Sequence, residues 1–135
     1  MSLSDIISRF RADRYAMDVT GIEIVDAKAD YAKVKLEVGD KHQNAVGIMQ
    51  GGAVFTLADF AFAVASNNAA AEEEATVAIE CHISFLKPVT SGTLYAEAKL
   101  ESKSRSLATY DIPITNENGE LVAKFHGRGF VRRKR

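Results

Sequence analysis

One segment constrains the fold of this chain more than any other. From Gly51 to Asn67 it reads GGAVFTLADFAFAVASN, with small or apolar side chains at nearly every position. The composition predicts a helix from Gly51 to about Asn67. Such a helix is buried over most of its circumference. The alanines at 58, 61, 63 and 65 let strands wrap closely about it and leave space beside its only acid, Asp59. An ionised carboxylate in that setting costs several kcal/mol unless it is paired, hydrogen-bonded or facing a water-filled cleft. Asp59 therefore either satisfies a structural partner or performs chemistry.

The rest of the chain supplies the wrapping. Ser4 can cap a short helix over about Asp5 to Asp13, with Ile6, Ile7 and Phe10 on one face. Gly21 to Ala27 reads as a strand with Ile22 and Ile24, and by the same alternation Asp26, on one face. Tyr31 to Val38 reads as a second strand, with Lys28-Ala29-Asp30 as the turn between them. Gly39 to Met49 has no periodicity and reads as a loop. Beyond the helix, Asn67 and Asn68 are stop signals, and the stretch from Ala69 to Glu74, with Glu72, Glu73 and Glu74, is expected to be a solvated acidic turn. Val77, Ile79, Cys81, Ile83 and Phe85 then alternate with polar or small residues. Leu94 to Ser102, Ser106 to Thr115 and Glu120 to Arg132 give three further strands, the last two joined by the hairpin loop Asn116-Glu117-Asn118-Gly119. The order predicts an α+β fold, one long helix against a mostly antiparallel sheet. The chain is expected to be one domain over residues 1–135, with a short N-terminal helix in residues 1–14.

Several function classes fall away. The formal net charge of −1 argues against a nucleic-acid or membrane partner. No apolar run reaches the roughly 20 residues of a membrane span, and the N-terminus lacks the apolar centre of a signal peptide. Cys81 is the only cysteine, so no disulfide framework or cysteine-rich metal site is expected, and a reducing, cytoplasmic setting fits. Arg128, Arg132, Arg133, Lys134 and Arg135 make the C-terminus basic; a solvated tail is preferred over a phosphate-binding role.

Helical spacing places Asp59 on one face with Phe55, Thr56, Phe62 and Ala63. The start of the helix is a second feature. Its first N–H groups lack partners within the helix, the Gly51-Gly52 pair lets another group approach them, and the dipole favours negative charge there. A carbonyl aimed at this end would be polarised and a developing oxyanion stabilised. Asp59 lies about 12 Å further along the helix, too far to act on the same carbon as its own helix start. The two features make one site most simply when two subunits pack their helices side by side, which implies a dimer.

The segment HQNAVGIMQGGAVFTLADFAFAVASNN, with ECHISFLKPVTSGTLYAEAKLES and SRSLATYDIPITNENGELVAKFHGRGF after it, resembles the PaaI-type acyl-CoA thioesterases of the hotdog fold. The resemblance covers about residues 15 to 132. It implies an antiparallel sheet of five or six strands wrapped around the long helix, and a homodimer with active sites shared across its interface, often paired into a homotetramer. It also implies hydrolysis of an acyl-CoA to free acid and CoA without a metal or other cofactor. Residue by residue, Asp59 matches the carboxylate that activates water or attacks the thioester. Gly52, with Gly51, matches the backbone that polarises the carbonyl, and Asn44 matches the loop asparagine that positions water or thioester. Two departures stand out. Gln50 occupies the place of the usual histidine and cannot carry its positive charge, and Ala78 stands where many relatives have Ser or Thr, with Thr76 close by but out of register.

Gln50, Gly51 and Thr56 are candidate substrate contacts, as are Lys103 and Arg105, whose basic hairpin could meet the phosphates of CoA. Each residue has a plainer reading: Asp59 as an acid at a dimer seam, Asn44 as a turn former, the glycines as packing, Lys103 and Arg105 as solvated charges. His42 reads as a loop surface residue, Glu80 and His82 as a surface or subunit-contact pair, His126 as structural. The alternatives to hydrolysis are a non-catalytic acyl-CoA or acyl-carrier-binding module, motivated by Gln50 and Ala78, and a dehydratase. The dehydratase ranks lower, because the region offers only His42, offset from the motif. Acyl specificity is not readable: Phe55, Phe60, Phe62 and Tyr15 could line a pocket, but core packing is their commoner use.

Overall fold

Ser2, rather than Ser4, starts the first helix, α1 (Leu3–Phe10). The Ser2 hydroxyl accepts from the Asp5 N–H at 3.1 Å and the Asp5 carboxylate accepts from the Ser2 N–H at 3.1 Å, a reciprocal cap two residues earlier than the sequence suggested. Ile6 is buried, and Phe10 meets Phe60 edge-on with ring centroids 6.2 Å apart. A π-helical stretch, Tyr15–Thr20, follows and ends at Gly21, whose φ of +88° is the left-handed conformation that glycine adopts freely. The computed structural model describes residues 1–69 and 74–133. Of the acidic turn expected at Glu72, Glu73 and Glu74, the first two lie outside the described residues, as does the basic end at Lys134 and Arg135, whereas Glu74 is not a free turn residue but begins the strand Glu74–Phe85.

Strands β1 (Glu23–Lys28) and β2 (Tyr31–Glu37) form the expected hairpin, with Asp30 at φ 60° in its turn. A bulge between Ile24 and Asp26 resets the alternation, so Asp26 faces solvent and Ala27 packs on the core. The expected face-sharing of Asp26 with Ile22 and Ile24 is thereby overturned. The loop contains a 3₁₀ turn at Asp40–His42 and leads to α2 (Gly51–Asn67), whose bounds are those expected. Asn67 and Asn68 end it with their side chains: the Asn68 amide donates to Val64 O at 2.7 Å and to Lys28 O at 2.7 Å, tying the helix end to the β1–β2 turn.

Strands β3 (Glu74–Phe85), β4 (Thr93–Lys103), β5 (Leu107–Asn116) and β6 (Leu121–Arg133) complete one six-stranded sheet in the order β1-β2-β4-β5-β6-β3, every pairing antiparallel. A second bulge, between Ala78 and Glu80, breaks the single alternation expected for β3. Cys81 and Ile83 pack toward the core, while Val77 and Ile79 are exposed, 40% and 56%. The C-terminal arginines are not a free tail as far as Arg133, which donates to Glu74 at 3.2 Å and to the Arg105 carbonyl at 2.7 Å.

The core lies between sheet and helix. Leu57, Ala58, Ala61 and Val64 of α2 are fully buried against Val34, Leu36, Ala96, Ile112 and Ile114 of the strands. Two glycines set how closely the helix seats. A Cβ on Gly127 would lie 2.9 Å from the Phe62 ring, and one on Gly129 would lie 2.8 Å from it. Along the other side of α2, Gly52, Thr56, Asp59, Ala63 and Ser66 recur every three or four residues as a half-open stripe.

Candidate active site

The loop before α2 is built by its own polar groups. The Asn44 N–H donates to Ile48 O at 2.7 Å, and the Asn44 side-chain oxygen accepts from the N–H groups of Val46 (2.9 Å) and Ile48 (3.2 Å). Asn44 is thus the turn former the sequence allowed, and its amide NH₂ remains a donor. Gly47, at φ +82°, completes this turn. Gln43 bridges Met49, and the Met49 N–H donates to Val89 O at 2.7 Å, which seats the loop against the segment after β3.

Gln50 is the helix cap. Its side-chain oxygen accepts from the Gly52 N–H at a long 3.4 Å, and its backbone carbonyl accepts from Ala53 at 2.9 Å. The Gly51 N–H meets no acceptor among the described residues. Gln50 thus puts a weakly held amide oxygen over the Gly52 N–H, a donor at the open start of the helix. Beside this end lies an open cavity of about 290 Å³, lined by Asn44 and Gly51 with Ile48, Met49, Val54 and Phe85 among its apolar walls. Gly51 is needed for this packing, since a Cβ there would sit 3.1 Å from the Phe85 ring. At Gly52 a Cβ would meet nothing closer than Gln50 Cγ at 4.0 Å.

Asp59 is half-buried on the open stripe of α2 and does not line that cavity. Burial first, and the Asp13 carboxylate second, push its pKa above the usual 3.8, and no hydrogen bond among the described residues holds it down. The Cys81 thiol is also pushed up, by burial first and then by the charges of Asp59 and Glu80. Asp13, from the segment after α1, and Cys81, from β3, are thus neighbours of Asp59 that the sequence did not reveal; nothing local marks either. The Thr56 hydroxyl donates to Gly52 O at 2.8 Å.

The structure brings Asn44, Gln50, Gly51 and Gly52 together and leaves Asp59, in the same chain, about 12 Å along the helix. Lys103 and Arg105 lie elsewhere, around a polar cavity of about 190 Å³ at the far end of α2 with Ser66 and Thr76. Lys103 is paired there with Asp30 at 3.2 Å. Thr76 is bound by its backbone to the Asn67 side chain at 2.8 and 3.1 Å, so its place is the helix end, while Ala78 is exposed. Glu80 stands opposite Arg128 and His82 opposite His126, all on the outside, and His126 contacts Glu101 at 3.1 Å. His42 is not a surface residue: it is 5% exposed and bonded through both ring nitrogens. Among the described residues no cluster of three or more His, Cys, Asp or Glu could hold a metal ion, and no helix is long and apolar enough to cross a membrane.

Comparison with known proteins adds to this geometry. The model of the family described as Thioesterase superfamily matches residues 46–123. The acyl-coenzyme A thioesterase PaaI of Escherichia coli (strain K12) is 37% identical over 109 residues, which span 80% of this chain and 76% of that protein. A point mutant of the phenylacetic acid degradation protein PaaI from Thermus thermophilus superposes with a TM-score of 0.78 at 33% identity, covering 84% of this chain and 96% of that one. A thioesterase from Haemophilus influenzae reaches a TM-score of 0.88 over 98% of this chain and 92% of its own; at 22% identity the likeness is one of fold.

Proposed function

The chain belongs to the thioesterase superfamily and has its hotdog fold, and on that premise we propose that it hydrolyses an acyl- or aryl-acyl-CoA to free acid and CoA, with Asp59 as general base or nucleophile. The observation that carries the reading is Asp59 itself: a half-buried carboxylate that no hydrogen bond holds among the described residues, on a helix whose open start faces an apolar cleft. In the base route, the carboxylate takes a proton from water as the oxygen attacks the thioester carbon. The N–H groups of Gly51 and Gly52 hold the oxyanion once the Gln50 side chain gives way, and the Asn44 NH₂ orients water or thioester. Collapse breaks the C–S bond, and the thiolate leaves and is protonated. In the nucleophile route, Asp59 forms a mixed anhydride that water then cleaves. No metal or redox cofactor enters either route.

The proposal places the two halves of each site on different subunits of a homodimer. The uncovered stripe of α2 and the twelve-residue edge strand β3, paired on one side only, are the surfaces that support it. A homotetramer would use the outer sheet face, where Val77, Phe130 and Leu107 stand opposite one another and are 40%, 42% and 39% exposed. Thr56 stays a proposed contact on the stripe, and Lys103 and Arg105 stay proposed contacts for the CoA phosphates.

Steady-state assay of Asp59→Asn and Asp59→Ala against hexanoyl-CoA and benzoyl-CoA tests the reading. Loss of a general base predicts kcat lower by about 10²- to 10⁴-fold. Wild-type rates no better than those of both variants would sink it.

A further inference from the structure

The loop that carries Asn44 and the helix cap is tied to the rest of the molecule through one buried ring. His42 Nδ1 accepts from the Gly39 N–H at 2.9 Å, and His42 Nε2 lies 2.7 Å from the Thr20 carbonyl oxygen. A backbone N–H can only donate and a carbonyl oxygen can only accept, so these neighbours dictate the tautomer: proton on Nε2, none on Nδ1, ring neutral. Thr20 is itself buried and ends the π-helical stretch, so the ring anchors the loop to a segment far away in sequence. The backbone of the same residue reaches the site directly. Its carbonyl accepts from the Gln50 N–H at 2.6 Å, and Gln50 is the cap of α2. Asn44 follows two residues later. A shift of residue 42 therefore moves the Asn44 donor and the helix-start donors against each other.

We propose that His42 is a positioning residue of the thioester site: its neutral imidazole, clamped between the Gly39 amide and the Thr20 carbonyl, fixes Asn44 relative to the Gln50-capped start of α2. The inference rests on the functional reading above and deepens it. The ring touches no reacting atom. It matters because reacting groups displaced by a fraction of an ångström to an ångström lose most of the advantage of being pre-aligned.

Three substitutions separate this role from simple packing. His42→Leu keeps bulk and loses both bonds. His42→Gln can keep the donor to Thr20, and His42→Asn can keep the acceptor for Gly39. For the folded Leu variant the expected result with hexanoyl-CoA and benzoyl-CoA is kcat lower by about tenfold to a hundredfold, with KM changed less than about threefold, because the apolar cleft walls are untouched. The Gln and Asn variants should each recover part of kcat. In the wild type, ¹⁵N NMR of the imidazole should show the Nε2–H tautomer.

A folded His42→Leu with wild-type kcat, whatever its Tm, overturns the proposal, as does an Nδ1–H ring. If the Leu variant does not fold, wild-type kcat in both the Gln and Asn variants overturns it equally. Asp59→Asn measured alongside keeps the two readings apart. Full activity in Asp59→Asn defeats the site reading regardless of His42. Its loss, together with wild-type kcat in His42→Leu, defeats only the positioning role.

Discussion

Asp59 is held above its usual pKa of 3.8 by burial and by Asp13, and this single displacement has two opposite consequences for pH. As base or nucleophile it must be ionised, so kcat rises with pH through the raised value. The folded chain also binds this proton more tightly than the unfolded one. Stability that depends on the protonated form is therefore fully present below 3.8 and falls as pH rises through the folded-state value. An amide at this position carries no such dependence. Asp59→Asn should have a higher Tm than the wild type at neutral pH, with the gap closing as the pH falls through the raised folded-state value towards 3.8. Thermal melts of both proteins across acid and neutral pH check this. A variant that is less stable at neutral pH would mean that ionised Asp59 has a stabilising partner. Activity and stability would then be drawn from the same carboxylate in opposite directions, as expected where a site keeps a strained or desolvated group for its chemistry.

At the scale of elements, the seat of α2 depends on two residues of β6 that have no side chain. A Cβ on Gly129 would lie 2.5 Å from Thr76 Cγ2 and 2.8 Å from the Phe62 ring. Phe62 cannot retreat freely, because it is buried against Tyr110, ring centroids 5.3 Å apart. Gly129→Ala should therefore destabilise by about 1–3 kcal/mol through overpacking, and Phe62→Leu in the same chain should recover part of the loss. Chemical denaturation of the single and double variants measures it, and an unchanged midpoint for Gly129→Ala would show that helix and strand separate easily. The bounds of α2 were legible in the sequence because they depend on local signals: an apolar run, a glycine pair at its start and two asparagines at its end. The bulges in β1 and β3 were not. Alternation in Val77, Ile79, Cys81 and Ile83 continues on paper straight through the residue where the strand resets its faces, and what resets it is pairing with β6. His42 was misplaced for a related reason. Its neighbours along the chain are polar, and its burial follows from Thr20, which only the fold brings to it. Asn44, Gln50, Gly51 and Gly52 were found together because they are close in sequence.

The whole molecule poses the question of how Asp59 reaches the other half of the proposed site. Within one chain it cannot: a regular helix separates it from Gly51 by about 12 Å, and the cleft at the helix start does not include it. A two-fold arrangement that lays two α2 stripes side by side would bring the Asp59 of each copy to the helix start of the other. It would also cover the exposed side of Asp59 and use the open edge of β3, where Ile79 and Phe85 are each 56% exposed. The arrangement makes a prediction that no intrachain site can satisfy. Asp59→Asn and Asn44→Ala are each expected to be nearly inactive as separate proteins. Unfolded and refolded together in equal amounts, half of the dimers should contain one chain of each kind. In such a dimer one site carries both substitutions and the other carries neither. Mixing should therefore restore about a quarter of the wild-type activity. Light scattering confirms that the species is a dimer or larger, and differently tagged chains, co-purified, confirm that the two kinds have exchanged. Mixed dimers without recovered activity would place Asp59 and Asn44 in the same subunit's site or in no common site. A strictly monomeric, active wild type would defeat the shared site outright.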